Sequence, residues 1–395
     1  MLRVGFFFTG GNAWLGGVNY LWNLLHAIGE HEGNTITPVL VAPLDAPLHG
    51  LDALRGVEAV RASFGNAGIL VRSAQRRLIG CDPAVAEVVR QLRLDVVSHS
   101  GTFGWRFPVP VVPWIPDLQH HRLPQNFTTQ ERALRTYVDV SQLVEGAATI
   151  VSSAAAQADC RRYYGPIARR TEVLRFVSQP RAVALPDGAA VRAQHAVPGR
   201  YLFMPNQFWR HKNHAVVIEA LGILAVRGLR PVVVMTGKAE DYRAPGHYAA
   251  LMARIHALGL GPQLRHLGMV PFESLIVLMR DALAVLNPSC FEGWSTTVEE
   301  ARSLGKITIL SDIDVHREQA PPGATYFPPD DAEALADLIE AAWSGTGGLD
   351  DVRAARAAAE LPERTRAFAA RYREILGHLG QRVLQHSDGG AIAAP

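Results

Sequence analysis

Short apolar runs alternate with helical patterns along most of the chain. The first run, Arg3 to Phe8, precedes a glycine-rich segment and a helical pattern over 18–28, in which apolar residues recur every three or four positions. The strands predicted in this way are 3–8, 35–41, 94–98, 109–115, 148–151, 171–176, 201–204, 231–235, 264–267, 283–286, 307–310 and 325–327. Strands that alternate with helices predict parallel βαβ units.

The periodicity fades once, between Ser178 and Gly199, where prolines, alanines and glycines gather. This break predicts a domain boundary. We expect an N-terminal domain over 1–180, a linker over 181–199, a C-terminal domain over 200–360, a helix over 361–380 that packs back on the N-terminal domain, and a disordered tail over 386–395. The predicted fold is α/β, with two doubly wound Rossmann-like domains that face each other across a cleft.

Composition narrows the class of protein. The 395 residues are 48% hydrophobic and 19% charged, with a formal net charge of +2, which indicates a globular protein with a sizeable core. So small an excess of positive charge argues against a nucleic-acid partner. The three cysteines lie far apart and form no disulfide framework or zinc motif. With no membrane-span pattern and no signal peptide pattern at the start, we expect a cytoplasmic protein.

The most informative stretch is 286–305. An apolar run ends at Asn287, a short loop follows, and a helix with Ser295, Thr296 or Thr297 as its N-cap is expected to end at Gly305. Glu292 and Glu300 frame this turn. A helix start binds phosphate, and a carboxylate accepts hydrogen bonds from vicinal hydroxyls, so the stretch fits a nucleotide sugar. The alternative is structural: Glu300 forms a capping box with Thr297, and Glu292 is solvated.

A second candidate lies at the end of the strand 201–204. Arg210, His211 and Lys212 gather where a helix is expected to begin, near Asn213. Cations oppose the dipole at a helix N-terminus, so their presence there suggests a bound anion, such as a diphosphate. A solvated basic turn is the alternative.

The N-terminal half offers weaker candidates. His99, Asp117 and the pair His120–His121 each follow a predicted strand, where ligands bind on parallel sheets. The glycines of 9–17 allow close approach of a ligand or form a tight turn, and their spacing matches neither the dinucleotide fingerprint nor the P-loop. The basic residues between 61 and 77 could contact an anionic acceptor or a membrane surface, or form a solvated face. They are Arg61, Arg72, Arg76 and Arg77.

Several of these stretches resemble the family-four retaining glycosyltransferases of the GT-B architecture. The resemblance rests on the Glu-x7-Glu spacing of Glu292 and Glu300, on the basic loop that ends at Lys212, and on the stretches 311–318 and 321–330. In the first half, Gly16–Gly17 and the stretch 114–121 are similar to family loops.

The resemblance implies roles for particular residues. Glu300 would hold the ribose hydroxyls, Glu292 the hydroxyls of the donor sugar, and Lys212 the leaving diphosphate, while backbone N–H groups near the helix start meet phosphate. Two departures matter. Asn206-Gln207 stands where the family often has Gly-Arg, so Arg210 would replace the usual phosphate arginine. Pro116 stands where the family often has a sugar-contacting histidine, so His120 or His121 would supply that contact. The catalytic set is therefore Glu292, Lys212, Arg210, Asp117, His120 and His121, and the binding set is Glu300, Gly293, Trp294, Ser295, Thr296, Gly16, Gly17 and Gln207.

The implied reaction is metal-independent transfer of a hexose, with retention, from a UDP-sugar or GDP-sugar. The partners are this donor and an acceptor hydroxyl on a glycan, a lipid-linked molecule or a small molecule; no cofactor is expected. Asp312 and Asp314 are interpreted as turn residues, and Cys290 as a buried small hydrophobe. A nucleotide-sugar epimerase of similar architecture and a two-lobed sugar-binding protein are the alternatives. We expect a cytoplasmic location, and peripheral contact with the inner face of a membrane is left open.

Overall fold

The computed structural model describes residues 1–8, 15–63, 76, 78–179, 185–345 and 351–387, with only the backbone described for 380–387. The chain divides into two compact units. Unit 1 comprises Met1–Leu118, Thr129–Val177 and Glu363–Pro395, and unit 2 comprises Gln119–Thr128 and Ser178–Pro362. Among the described residues, no helix combines the length and the apolar character needed to cross a bilayer.

The described part of unit 1 contains two parallel sheets with strand orders β3-β2-β1-β4-β5 and β6-β7-β8. Pro113 separates β5 from β6, since proline has no N–H to donate to the ladder. Its carbonyl still accepts from Ile150 N at 2.8 Å. The strands are β1 Leu2–Phe7, β2 Ile36–Ala42, β3 Glu58–Arg61, β4 Val96–Ser98, β5 Val111–Val112, β6 Trp114–Ile115, β7 Thr149–Val151 and β8 Thr171–Val173.

The long C-terminal helix completes unit 1. The ring of Tyr372 on this helix is fully buried, and its centroid lies 6.4 Å from that of Phe6 on β1. Arg371 Nη2 of the same helix lies 2.8 Å from Glu172 Oε2 on β8. The helix therefore packs on unit 1 through its residues after 362. The helices with residues in this unit are Leu15–His31, Pro83–Gln91, Thr129–Glu145, Ala154–Tyr164 and Asp351–Ser387.

Two local predictions for unit 1 were wrong. The first helix begins at Leu15, so Gly16 and Gly17 lie in its first turn rather than in a loop before it. The strand Glu58–Arg61 was missed because its side chains are mostly exposed and show no apolar alternation. Residues 9–14, which carry the other glycines of the predicted loop, lie outside the described residues.

His99 has a structural role in unit 1. Its Nε2 lies 2.8 Å from Tyr20 Oη and its Nδ1 lies 2.8 Å from Ser98 Oγ, so both ring nitrogens are engaged. The loss of water around the ring lowers the pKa of His99 to about 3, which keeps it neutral at physiological pH. The ring also packs near Phe6, with centroids 5.8 Å apart. These contacts explain His99 without a ligand.

The basic residues between 61 and 77 are only partly described. Arg61 Nη1 donates to Pro43 O at 2.8 Å, and Arg76 Nη2 lies 3.0 Å from Glu145 Oε2. Both guanidinium groups thus have partners within unit 1. Arg72 and Arg77 lie outside the described residues.

Replacing Asp139 by asparagine is expected to stabilise unit 1 more at pH 8 than at pH 5. Burial raises the pKa of Asp139 to about 7, opposed by the hydrogen bond from Tyr164 Oη at 2.7 Å. Because the folded pKa exceeds the unfolded value, this carboxyl favours folding at low pH and loses that contribution as pH rises towards 7. Asparagine removes the charge and keeps an acceptor for Tyr164.

At about 1.4 kcal/mol per pKa unit, the gain at pH 8 is at most roughly 4 kcal/mol. Thermal unfolding followed by circular dichroism at the two pH values measures it. An equal shift in unfolding temperature at pH 5 and pH 8 would contradict the assignment.

Unit 2 contains a parallel sheet with the order β11-β10-β9-β12-β13-β14 in its described part. Counted from β9, this is the order 3-2-1-4-5-6, which places the topological switch point between β9 and β12. The strands are β9 Leu202–Met204, β10 Val233–Met235, β11 Leu264–His266, β12 Val285–Asn287, β13 Thr308–Ser311 and β14 Thr325–Phe327.

The core of unit 2 lies between this sheet and its helices. The helix His214–Val226 is apolar on most of its surface, and it packs against the helix Ala332–Ser344 as well as the sheet. An apolar surface of this width is typical of a helix buried on more than one side. The helices of the unit are Gln119–Arg122, Gly188–Gln194, His214–Val226, His247–Ala257, Phe272–Asp281, Thr296–Ser303, Asp314–Gln319 and Ala332–Ser344.

Part of the predicted linker is ordered structure in unit 2. Asp187 caps the helix Gly188–Gln194, and Arg192 Nη1 lies 2.5 Å from Asp281 Oδ2. Before it, Ser178 O accepts a hydrogen bond from Ser303 Oγ at 2.7 Å. Residues 180–184 and the tail residues 388–395 lie outside the described residues.

Candidate active site

The loop after β12 is held by a buried asparagine. Asn287 Oδ1 accepts from Ser289 Oγ at 2.7 Å, and Asn287 Nδ2 donates to Ser295 Oγ at 2.6 Å. Ser295 is the N-cap of the helix Thr296–Ser303, since its hydroxyl accepts from Val298 N at 3.4 Å. One amide side chain therefore closes the loop that carries Glu292 and fixes the helix start behind it.

A second asparagine joins this loop to the one after β9. Asn206 Nδ2 donates to Asn287 Oδ1 at 3.3 Å, and Asn206 Oδ1 accepts from Thr297 Oγ1 at 3.4 Å. Thr297 is thus a helical residue bonded to Asn206, and the alternative of a Thr297–Glu300 capping box is wrong. Of the N-cap candidates, Ser295 is confirmed.

The two loops meet in an ion pair. Lys212 Nζ lies 2.6 Å from Glu292 Oε1, and the two side chains are only 15% and 10% exposed. Lys212 ends a 3-10 turn, and the next residue, Asn213, adopts a left-handed conformation with φ 57°. Asn213 Nδ2 holds this conformation by donating to Pro329 O at 2.7 Å and Pro288 O at 3.2 Å. The ion pair of Lys212 therefore joins the loops that follow β9 and β12, the two strands at the switch point.

His211 does not belong to the predicted cation cluster. It is buried, and burial lowers its pKa well below the usual value, with the nearby charges of Lys212 and Arg243 lowering it further. The ring is therefore neutral at physiological pH. Positive charge in this turn comes from Lys212 and from Arg210, which is exposed. The prediction failed here because burial cannot be read from three adjacent basic residues.

The second carboxylate of the motif, Glu300, is buried on the helix Thr296–Ser303 with 8% of its surface exposed. Its neighbour Glu299 is 1% exposed and accepts from Gln319 Nε2 at 3.3 Å. Gln319 also exchanges two hydrogen bonds with the backbone of Ser295, accepting from its N–H at 3.2 Å and donating to its carbonyl at 3.0 Å. Gln319 was not predicted as part of the site, because it lies 24 residues from Ser295 along the sequence.

Backbone packing explains the position of Gln207. Gly237, in the loop after β10, has φ 125°, and a Cβ added there would lie 2.8 Å from the Cα of Gln207. Only glycine allows the two loops to lie so close.

Gln207, Gly293 and Thr296 are half-buried, and Trp294 is buried with 9% of its surface exposed.

The predicted residues of the N-terminal half are divided between the units. Gly16, which is exposed, and Gly17, which is buried, lie in unit 1 together with Asp117. His120 and His121 belong to unit 2, where His120 is 2% exposed and the two ring centroids are 4.2 Å apart. The structure therefore brings the histidine pair, but not these three residues, into the unit that carries Lys212 and Glu292.

Asp312 and Asp314 have cationic partners in the structure. Asp312 forms two hydrogen bonds with Arg317, at 2.6 and 2.7 Å, and Asp314 Oδ2 lies 3.5 Å from Arg122 Nη2. Hydrogen bonding by Arg317 lowers the pKa of Asp312. In the part of the chain that the structure describes, no cluster of side chains has the arrangement of a metal site.

The interpretation of Cys290 as a buried residue was wrong. Its side chain is exposed, and its backbone N–H donates to His211 O at 2.8 Å, which fixes it between the two loops of the site. The apolar run that precedes it ends at β12, so the burial of that strand does not extend to residue 290.

Solved structures of similar fold include a glycosyltransferase, HepE in complex with UDP and glucose, and a sucrose-phosphate synthase. A glycosyltransferase from Rickettsia africae is 15% identical with a TM-score of 0.66 and covers 96% of this chain and 98% of its own. HepE of Anabaena, in complex with UDP and glucose, is 16% identical with a TM-score of 0.62, and the match covers 99% of this chain and 100% of HepE. Sucrose-phosphate synthase of Thermosynechococcus elongatus is 17% identical with a TM-score of 0.64, and the match covers 99% of this chain and 100% of the synthase.

These matches and the parallel sheets of the two units confirm the predicted α/β class, with Rossmann-like units of the GT-B type. No curated protein sequence matches the chain. Residues 191–359 match the family model described as glycosyl transferases group 1. Residues 191–359 therefore form a group 1 glycosyltransferase domain that contains both Lys212 and Glu292, and the resemblance seen in the sequence is confirmed for this domain.

Proposed function

We propose that the chain transfers a hexose, with retention, from a UDP-sugar to a hydroxyl acceptor. The observation that carries the proposal is the ion pair of Lys212 and Glu292 at the switch point of a group 1 glycosyltransferase domain. Ligands of doubly wound sheets bind at such points. UDP is favoured over GDP because HepE, of similar fold, was solved with UDP and with UDP-glucose.

Each side chain of the site has a role that matches its chemistry. Lys212, with Arg210, neutralises the diphosphate; Glu292 accepts hydrogen bonds from hydroxyls of the donor sugar; and Glu300 does the same for the ribose. The start of the helix Thr296–Ser303 adds the positive end of its dipole. The Ser295 N–H already donates to Gln319, so we assign the phosphate contacts mainly to Lys212, Arg210 and the residues beside Ser295.

The remaining residues of the predicted site stay proposals. Gly293, Trp294, Thr296 and Gln207 border the donor in unit 2. For unit 1, we propose Asp117, Gly16 and Gly17 as ligand contacts.

Retention follows from the departure of the diphosphate on the face where the acceptor hydroxyl attacks. The bond between the anomeric carbon and the diphosphate oxygen breaks, the bond to the acceptor oxygen forms, and the acceptor proton passes to the released diphosphate. Lys212 and the helix start stabilise the charge that develops on the leaving oxygen. The reaction is proposed to need no metal and no cofactor. The acceptor is a glycan, a lipid-linked molecule or a small molecule in the cytoplasm or at the inner face of a membrane.

Nucleotide binding tests the proposal directly. UDP at a hundred times its dissociation constant stabilises the native protein by about 2.7 kcal/mol, which raises the unfolding temperature measurably. We expect a shift with UDP that is larger than the shift with GDP and absent with uridine, which lacks the diphosphate. UDP should also slow the alkylation of Cys290, while the partly exposed Cys81 of unit 1 serves as the internal reference in mass spectrometry.

The absence of any stabilisation or protection by UDP and GDP at millimolar concentration would refute the proposed donor site. Incubation with a UDP-hexose alone distinguishes the alternative of an epimerase. An epimerase changes the sugar without an acceptor, whereas a transferase leaves it intact or releases it slowly to water.

A further inference from the structure

The four-residue helix Gln119–Arg122 contacts unit 2 on both sides of its switch point. At one end, Gln119 Oε1 accepts from Arg243 Nη1 at 2.6 Å; at the other, Arg122 Nη2 lies 3.5 Å from Asp314 Oδ2. Arg243 follows β10 and Asp314 follows β13, the strands that flank β9 and β12 on either side. Neighbouring strands lie about 4.8 Å apart, so the strands of the two anchors are about 14 Å apart, which about 6 Å of helix and two long side chains can bridge. The segment is thereby linked to both sides of the pair β9 and β12.

The residues between the anchors are His120 and His121, and the loops that follow the two intervening strands, β9 and β12, carry Lys212 and Glu292. The segment Gln119–Thr128, here called the strap, belongs to unit 2 although it comes from the first half of the sequence. The contacts at its two ends tie the histidine pair to residues on either side of the proposed donor site in unit 2.

Arg243 holds the strap in place. Its side chain is 7% exposed, and the centre of its guanidinium group lies 5.2 Å from the ring centroid of Phe127 on the strap and 5.2 Å from that of Trp209. Its Nε donates to Asp241 Oδ1 at 3.2 Å, and the second oxygen of Asp241 accepts from Arg210 N at 3.0 Å. One buried ion pair thus joins the strap to the turn that ends at Lys212.

A guanidinium group is suited to this position. It donates from several N–H groups in one plane while its faces contact aromatic rings, and a buried charge needs such partners. Lysine keeps the charge but cannot contact Gln119, Asp241 and two rings together.

We propose that Arg243 is a positioning residue that fixes the strap, so that the His120–His121 pair contacts the sugar of the donor. This inference rests on the proposed function. It predicts that loosening the strap weakens binding of the sugar part of the donor and leaves binding of the nucleoside diphosphate nearly unchanged.

The test compares Gln119→Ala and Arg243→Lys with Arg227→Met. Arg227 is an arginine of the same unit whose ion pairs with Glu333 and Asp337 involve a different helix. Calorimetry measures the dissociation constants of UDP and UDP-glucose. In both strap variants we expect the dissociation constant of UDP to stay within about threefold of the wild-type value. The dissociation constant of UDP-glucose should rise at least fivefold more than that of UDP. Arg227→Met should change neither dissociation constant.

Hydrogen exchange of the ligand-free proteins tests the strap by itself. Amides of 119–128 should exchange at least tenfold faster in Arg243→Lys than in wild type, while the helix His214–Val226 keeps its protection. Unchanged exchange in the strap would overturn the inference, as would equal weakening of UDP and UDP-glucose. If wild type binds no nucleotide at all, the proposed function fails, and the exchange result still decides whether Arg243 holds the strap.

Discussion

Replacing Glu292 by glutamine is expected to tighten UDP binding about tenfold and to slow sugar transfer at least a hundredfold. In the structure Lys212 is already paired with Glu292 at 2.6 Å, in surroundings that leave little of either side chain exposed. A diphosphate that binds Lys212 must compete with this carboxylate and is repelled by it. Glutamine has nearly the same shape and no charge, so it removes both effects.

Coulomb's law sets the size of the change in affinity. Two unit charges about 6 Å apart interact by about 3 kcal/mol at an effective dielectric constant of about 20, and partial solvent access roughly halves this. A difference of about 1.4 kcal/mol corresponds to a factor of ten in the dissociation constant. Turnover falls for a different reason, since glutamine is a weaker acceptor than carboxylate for the sugar hydroxyls.

Calorimetry with UDP and a transfer assay measure the two effects, with Glu292→Asp as the matched control. Aspartate keeps the charge but is shorter, so turnover should fall without tighter UDP binding. Equal UDP affinity in wild type and Glu292→Gln would show that the carboxylate does not compete for Lys212. Transfer by Glu292→Gln at the wild-type rate would remove Glu292 from the catalytic set.

The second large effect is expected for Lys212→Met, which should weaken UDP binding at least thirtyfold. Methionine has a side chain of similar length but no charge, so the diphosphate loses its nearest cation. In addition, Glu292 then remains without its ion-pair partner in a partly buried position, and its negative charge repels the ligand. Uridine, which has no phosphate, should bind as it does to wild type.

Lys212→Arg is the matched control because it keeps the charge, and it should retain most of the affinity for UDP. Comparison of unfolding temperatures without ligand shows whether Lys212→Met is folded before binding is measured. If a folded Lys212→Met variant bound UDP as tightly as wild type, the diphosphate would have to lie elsewhere in the unit. The double variant with Glu292→Gln would then show whether the two side chains act on binding together.

Most elements were predictable because their signal is local. The helix Ala154–Tyr164 and the strand Thr325–Phe327 begin and end where the apolar pattern placed them. The N-cap at Ser295 follows from a hydroxyl beside a helical pattern. The observed boundaries differ from the predicted ones where a proline or solvent exposure changes the pattern. Pro113 interrupts a strand that was predicted as continuous. Glu58–Arg61 shows no apolar alternation because its side chains are mostly exposed.

The candidate site was predictable only in part. The motif of Glu292 and Glu300 and the basic loop at Lys212 both stand in the sequence as local features of strand ends. The charge state of His211 was not predictable, because it depends on burial by neighbours from other segments. For the same reason nothing in the sequence pointed to Gln319 as the partner of the Ser295 backbone.

The sequence by itself determined the α/β class, the parallel strands and the two acidic and basic loops of the group 1 domain, because strand ends, glycines and charges act over a few neighbouring residues. Only the tertiary structure decided that Lys212 and Glu292, 80 positions apart, form one ion pair, and that Arg243 holds residue 119 from a distance of 124 positions. Such pairs form when parallel strands bring their carboxyl ends to one edge of a sheet. No local sequence pattern determines the order of the strands, so these pairs could not be predicted from the sequence.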